Sequence, residues 1–327
     1  MEQVSQYLME AQGLVSTSGC FFAGETSFIA STLATVQNIT IPYLIEEFQQ
    51  MLTFSFMQRA ILVGIMVSLC ASLLGVSLVL KRYAMIGTSL SHVGFAAMMA
   101  AVALGVAPLA VALPMVVIAA FFMLRLNESS KINGDSAVAL VSASSFAIGV
   151  LITSQTVGLS IHVCSAMFGS ILVITQNDLR ISIGLSVVVL VLFVLFYKQI
   201  FAVTYDETFA RATGTRVELF KSLLAILTAI TVVLGMRMMG ALLISSLIIL
   251  PPLTAMRTCK TFLSVVITSA IVGVVSFFIG IFIAFVMDWP PGASVVAVNL
   301  VIFICFCIVE GVKKFAKKDS PIEEVQL

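Results

Sequence analysis

The stretch from Ala60 to Leu80 contains no charged residue and is long enough to cross a lipid bilayer as one α-helix. Similar apolar stretches recur along the 327-residue chain, which is 60% apolar and only 10% charged. This composition excludes a soluble globular domain and is typical of a polytopic helical membrane protein. The sequence therefore predicts an all-α integral membrane protein built as a helical bundle.

Hydropathy predicts nine spanning helices, or eight or ten if one stretch is misread. They lie at about 57–80, 89–106, 108–125, 136–154, 181–198, 219–236, 239–256, 262–286 and 293–311. A further apolar stretch at 160–175 is short and contains Gly169, which favours a re-entrant or surface segment over a full span. Residues 56–312 are therefore expected to form one membrane domain of about eight or nine transmembrane helices with this short segment between them.

The cations of the chain fall almost entirely on one side of these spans. The exceptions are Arg59, Arg180 and Arg237. Because Lys and Arg are enriched in cytoplasmic loops, that side is expected to face the cytoplasm. The polar segment 1–55 is then extracytoplasmic, with an amphipathic or interfacial helix expected at 28–45, and the tail 313–327 is cytoplasmic.

One of the two histidines, His92, lies inside the second predicted span. If Lys81 and Arg82 mark the membrane surface, His92 lies ~12 Å deep, near the middle of a ~30 Å hydrocarbon layer. An ionisable residue at that depth indicates a function, and a neutral imidazole binds divalent transition metals. Thr88 shares its helix face, and Ser91 belongs to an adjacent stripe of small residues that lets a helix or substrate approach closely. The alternative is a buried histidine hydrogen-bonded to a neighbouring helix.

A polar stretch from Thr204 to Gly214 separates two spans on the cytoplasmic side. Asp206 or Thr204 is suited to cap a short helix, and Gly214 is suited to end it in a left-handed conformation. A short capped helix on this face would let a membrane domain dock a soluble motor. An ordinary interfacial loop helix is the alternative.

Two prolines, Pro251 and Pro252, lie inside the span at 239–256 and leave two carbonyl groups without helical donors. Such broken helices are tolerated in membranes where they face protein or a water-filled path. Ser245 and Ser246 place hydroxyl groups nearby. A simple proline kink is the alternative.

Several absences from the sequence bear on the class of function. No Asp or Glu lies deep in a predicted span, which weakens a proton- or sodium-coupled carrier. The lack of a filter-like glycine repeat weakens a channel. There is no G-x-x-x-x-G-K-[ST] phosphate-binding loop, so any ATP that powers this protein is hydrolysed by another chain. The chain itself is not expected to be an enzyme.

Taken in order, these stretches resemble the permease subunit of the zinc, manganese and iron ABC importers. The resemblance covers most of residues 56–312 and depends on the order of the motifs more than on any one of them. The motifs are Ser91-His92, Met167-Phe168-Gly169, Asp206, Ala210 and Gly214 at four-residue spacing, Gly240 to Ser246 with Pro251-Pro252, and Pro291-Gly292-Ala293.

The resemblance implies the type II ABC importer fold in a bacterial cytoplasmic (inner) membrane. A coupling helix at about 204–216 would contact a separate cytoplasmic ABC ATPase. The residues implied for this contact are Asp206, Glu207, Ala210, Arg211 and Gly214. An external metal-binding protein would deliver the substrate, and a second permease subunit would lie alongside in the membrane lipid. No nucleic-acid partner is expected.

The transported ion, a divalent manganese, zinc or iron, would pass along this chain without any covalently bound cofactor. The residues implied for the metal and its path are His92, Thr88, Ser91, Ser245 and Ser246. A secondary metal carrier or channel that works alone is the alternative function.

The chain departs from the family's pattern at Thr88, where the family commonly has an aspartate four residues before the histidine. A hydroxyl is a poorer ligand than a carboxylate for a divalent ion. A second, different permease subunit carrying the acid would complete the site. A different substrate preference, or passage without tight coordination, would also account for Thr88, and a homodimer stays open beside the heterodimer.

Overall fold

A computed structural model describes residues 41–128, 134–155, 167, 169, 176–287 and 289–318. In these residues the chain forms twelve α-helices. They are α1 (Ile41–Thr53), α2 (Ser55–Leu80), α3 (Ala84–Ala103), α4 (Pro108–Glu128), α5 (Gly134–Gln155), α6 (Gln176–Leu195), α7 (Tyr197–Tyr205), α8 (Glu207–Ala212), α9 (Val217–Met239), α10 (Ala241–Thr258), α11 (Phe262–Met287) and α12 (Pro291–Lys318).

Eight of the described helices, α2 to α5 and α9 to α12, are long and apolar enough to cross a membrane. The fifth predicted span, at 181–198, differs from a straight helix. The chain bends by 68° between α6 and α7, so the two together either form one broken span or a re-entrant turn. The predicted all-helical bundle of about eight or nine spans is confirmed.

Helix α2 is the centre of the bundle. In its most apolar window 78% of the residues are buried, against 22% for α4, α5 and α12. It packs against α9, α10 and α11, which therefore surround it. Helices α4, α5 and α12 lie at the periphery, and their large apolar side chains face outward, as lipid-facing or subunit-facing helices do.

The two prolines of α10 lie inside one continuous helix, and the carbonyl that Pro252 frees faces protein. That carbonyl belongs to Ile248, since Pro252 has no N–H to donate to it. A Cβ placed on Gly75 of α2 would lie only 2.1 Å from the Ile248 oxygen. Gly75 therefore lets the two backbones come close enough for its Cα–H to contact this oxygen.

A second close backbone contact joins the short segment at Met167 and Gly169 to the junction of α9 and α10. Gly240 separates these helices with φ of 89°, in the region that favours glycine. A Cβ on Gly240 would lie 2.4 Å from the Met167 oxygen, and one on Gly169 would lie 2.5 Å from the Met239 carbonyl. Apart from these two residues, the predicted segment at 160–175 lies outside the described residues.

Of the amphipathic helix expected at 28–45, only residues 41–45 lie in the described part of the chain, where they belong to α1. Phe48 of α1 stacks edge-on against Phe278 and Phe282 of α11 at centroid distances of 6.1 and 5.8 Å. Residues 1–40 lie outside the described residues. The first described segment of the chain is thus packed on the bundle through aromatic contacts.

Replacing Gly75 with alanine tests the approach of α2 to α10. Because the added Cβ would overlap the Ile248 backbone, Gly75→Ala is expected to lower the free energy of unfolding by about 1–3 kcal/mol. The measurement is thermal unfolding in detergent micelles. The control is Gly184→Ala on α6, where a Cβ has no neighbour within 4 Å. Equal unfolding temperatures for the two variants would contradict the packing described.

Candidate translocation path and coupling surface

His92 lies on α3, is half-buried, and faces α5. Its Nδ1 atom is 2.7 Å from the hydroxyl oxygen of Ser142. Its ring also lies 5.3 Å from the ring of Phe146, measured between centroids. These two residues hold the imidazole from one side, and they leave Nε2 as the nitrogen able to bind a ligand.

The side chains next to His92 on its own helix include the hydroxyl groups of Thr88 and Ser91. Thr88 lies one turn earlier on α3 and is half-buried like His92. Ser91 is fully buried, and its hydroxyl donates to the Thr88 carbonyl at 2.7 Å. Within the described part of the chain, no group of three or more His, Cys, Asp or Glu side chains converges to hold a metal ion. Alone, this half of a site supplies one imidazole and weak oxygen donors.

Ser142 is a site residue that the sequence reasoning missed. It belongs to the run Ser142-Ala143-Ser144-Ser145 in the middle of an otherwise apolar span. Ser144 donates within its own helix, to the Leu140 carbonyl at 2.6 Å, whereas Ser142 reaches across to α3. A cluster of hydroxyls in a span is a signal for interhelical hydrogen bonds, but it does not reveal the partner.

Ser245 and Ser246 lie on a half-buried face of α10, and both hydroxyls donate to the Leu242 carbonyl, at 2.9 and 3.2 Å. Helix α10 packs beside α3, where a Cβ on Gly87 would lie 3.3 Å from the Ile248 side chain. The half-buried faces of α3 and α10 thus belong to adjacent helices of the bundle.

The short helix α8 has the caps that the sequence predicts. Asp206 is its N-cap, and one carboxylate oxygen accepts from the backbone N–H groups of Thr208 and Phe209 at 2.9 and 3.1 Å and from the Thr208 hydroxyl at 2.6 Å. The hydrogen bond from the Thr208 hydroxyl, then those from the backbone, lower the pKa of Asp206. Gly214 follows the helix with φ of 81°, and the Thr215 N–H closes the turn on the Ala210 carbonyl at 3.0 Å.

The predicted coupling residues point in different directions. Ala210 is fully buried in a small cluster with Val203 and Val217. Arg211 is exposed and pairs with Glu218 of α9. Two aromatic side chains are more exposed here, Tyr205 at the end of α7 and Phe209 in α8, with exposed fractions of 81% and 63%. Sequence reasoning missed both because aromatic residues near a membrane interface are ordinarily anchors.

Glu207 faces inward and forms two ion pairs. Its Oε1 atom is 2.8 Å from the Lys81 ammonium, at the end of α2, and its Oε2 atom is 2.8 Å from the Lys221 ammonium of α9. The lysine side chains are each only 6% exposed, whereas that of Glu207 is 34% exposed. Burial alone would raise the pKa of Glu207, but hydrogen bonds and charge from the lysines outweigh it and lower this pKa.

Residues 53–310 match the model of the ABC 3 transport family. The chain belongs to that family. The match runs from the last residue of α1 into the final helix and so includes His92, Glu207 and the Gly240 junction.

Several relatives of the chain are named for metal transport in bacteria. The chain is 27% identical to the manganese transport system membrane protein MntC of Halalkalibacterium halodurans over 78% of this chain and 88% of that protein. It is 29% identical to the high-affinity zinc uptake system membrane protein ZnuB of Haemophilus influenzae over 77% of this chain and 96% of that protein. Its fold matches PsaBC from Streptococcus pneumoniae, solved in complex with Fab, with a TM-score of 0.72 and 26% identity over 80% of this chain and 94% of that one.

These comparisons confirm the predicted family, a permease of the metal ABC importers, and the predicted class of membrane transport subunit. Membership of this family implies that the chain has an ATPase and a substrate-binding protein as partners.

The N-cap of α8 is tested by Asp206→Ala. Without the carboxylate, the amides of Thr208 and Phe209 lose their acceptor, so hydrogen exchange of residues 207–213 is expected to accelerate. The measurement is hydrogen exchange followed by mass spectrometry at neutral pH. Asp206→Asn keeps an acceptor oxygen and is the matched control. Unchanged exchange in Asp206→Ala would show that the cap does not order α8.

Proposed function

We propose that this chain forms one half of the path through which an ATP-driven importer moves a divalent transition metal ion, manganese or zinc, with iron as a further candidate. The observation that carries the proposal is His92, an imidazole held by Ser142 inside a spanning helix of a chain whose relatives are named for manganese and zinc transport. Imidazole nitrogen is a ligand that suits zinc and other transition metals.

The path runs along α3 and α10, past Thr88, His92, Ser245 and Ser246. Support comes from the half-buried faces that these adjacent helices share. Ser91, fully buried beside Thr88, lets α3 pack closely and does not itself contact the ion. Since one imidazole and hydroxyl groups hold a divalent ion weakly, the ion is passed on rather than retained.

A second permease subunit completes the path. The peripheral position of α5, which bears Ser142, leaves this side of α3 and α5 available to another subunit. We favour a related but different permease that supplies a carboxylate opposite His92, because the described residues of this chain form no group of three or more His, Cys, Asp or Glu side chains that could hold the ion.

The cytoplasmic ABC ATPase docks on α8. Support comes from its caps and from the exposed aromatic side chains of Tyr205 and Phe209, which have the character of interface anchors. ATP hydrolysis belongs to that partner chain, and this chain has no enzymatic step of its own. Asp206 caps the start of the helix, and Gly214 ends it. The buried Ala210 packs the helix against its neighbours, and Arg211 lies on its exposed side.

The end of the bundle that bears α8 faces the cytoplasm of a bacterium, and the opposite end faces the external metal-binding protein. Helices α2 and α10 run parallel, since a Cβ on Gly64 would meet Met239, just before α10 begins, and one on Gly75 would meet Pro252, further along both helices. Lys81, Lys221 and Arg257 therefore lie at the same end, as cytoplasmic cations do. The segment 1–55 is then external, and the chain crosses the inner membrane with its tail 313–327 inside.

Substituting His92 tests the metal path. We expect His92→Ala to lower ATP-dependent uptake of manganese or zinc into vesicles by about tenfold or more, since a metal site loses roughly that much when a supporting group is removed. The ATPase should still copurify, because α8 is unchanged. The control is Ser144→Ala, which removes a hydroxyl that donates to the Leu140 carbonyl of its own helix. Uptake by His92→Ala equal to that of the parent would remove His92 from the path.

A further inference from the structure

The two buried ammonium groups that meet at Glu207 come from helices far apart in sequence. Lys81 is the C-cap of α2, and Lys221 lies in the second turn of α9. Each Nζ atom takes a separate carboxylate oxygen at 2.8 Å, so Glu207 bridges the two helices. Exposed ion pairs contribute little to stability, but the side chains of these lysines are each only 6% exposed, and Glu207 is a partner that the two share.

This ion triad, defined as Lys81, Glu207 and Lys221, connects α8 to both sides of the path. Only the turn Lys81–Tyr83 separates it from α3, which carries His92, and Arg82 in that turn holds a left-handed φ of 61°. On the other side, α9 leads from Lys221 to Gly240, where α10 with its two serines begins. A displacement of α8 would therefore reach α3 through one lysine and α10 through the other.

The surroundings of the triad leave room for such a displacement. A small apolar cavity lies beside Lys81 and Lys221, between α2, α3, α4 and α9. Its other lining side chains include Leu78, Ile86, Leu124 and Leu224. Densely packed interiors resist movement, so unfilled space at this point allows the turn between α2 and α3 to shift without displacing its neighbours.

We propose that Glu207 is the joint that transmits movement of the coupling helix to the metal-path helices, and that it acts inside this chain without contacting the ATPase. The inference rests on the proposed function and assigns Glu207 a role different from that of the outward residues Tyr205 and Phe209. Glu207 is a positioning residue, because it reaches neither the ion nor the nucleotide.

The test uses the complete complex of this chain with its ATPase and second permease, reconstituted in vesicles. Three quantities are measured together, namely the amount of ATPase bound, the rate of ATP hydrolysis and the metal taken up per ATP hydrolysed. For Glu207→Gln we expect metal uptake per ATP to fall about tenfold, within the range typical of coupling between two sites. ATPase binding and ATP hydrolysis should stay within about twofold of the parent.

A second variant guards against misfolding. Lys81→Met cuts the link to α2 and α3 and leaves the ion pair between Glu207 and Lys221 in place. It is expected to fold and to uncouple transport like Glu207→Gln. The control is Glu310→Gln, which removes a carboxylate paired with Arg257 at the same end of the bundle but outside α8, and which should transport as the parent does.

Each other outcome overturns the inference. Normal metal uptake per ATP in both variants would show that the triad transmits nothing. Loss of bound ATPase would make Glu207 a docking residue, and loss of membrane-inserted protein in both variants would assign the triad to folding. If the parent complex shows no ATP-dependent uptake, the proposed function and the inference are both overturned. If the parent is active and both variants take up as much metal per ATP as the parent, the inference alone is overturned.

Discussion

The close approach of α2 and α10 at Gly75 and Ile248 is the contact on which the rest of the bundle depends. A membrane offers no water to a backbone carbonyl that has lost its helical donor, and Pro252 creates such a carbonyl in α10. Placing it against a glycine of the central helix fixes how near the two helices lie. Since α9 and α11 also pack on α2, their positions follow from this spacing.

The same two helices connect the end of the bundle that bears α8 to the helix faces of the proposed path. The C-cap of α2 is Lys81, beside α8, and the N-cap of α10 is Gly240, where the backbone at Met167 and Gly169 is in contact. Between these points lie the half-buried faces that carry His92 and the two serines. Rigid packing in the middle, with an ion triad at one end and a glycine junction at the other, is an arrangement suited to moving helices as units.

Features that depend on local sequence could be predicted. The spans follow from hydropathy, and the caps of α8 follow from Asp206 and Gly214, whose side-chain and backbone preferences act within a few residues. The contacts of Phe48 with α11 could not be predicted, because they join residues that are distant in sequence. The bend between α6 and α7 could not be predicted, because no proline or glycine lies at this point of the sequence.

Contacts between distant residues could not be predicted from one sequence. Ser142 meets His92 across 50 residues, and Glu207 meets Lys81 across 126. Periodicity shows which face of a helix is apolar, but not which helix lies against it. For this reason His92 could be proposed as a path residue from the sequence, whereas its contact with Ser142 and the inward-facing position of Glu207 required the structure.

The most direct test of the account is uptake of manganese and zinc into vesicles that contain this chain, with the ATPase and the second permease each supplied or withheld. The account predicts uptake that needs ATP, the ATPase and both permeases together, and that disappears when any one is omitted. Metal uptake by this chain alone, driven by an ion gradient and unaffected by ATP, would contradict it.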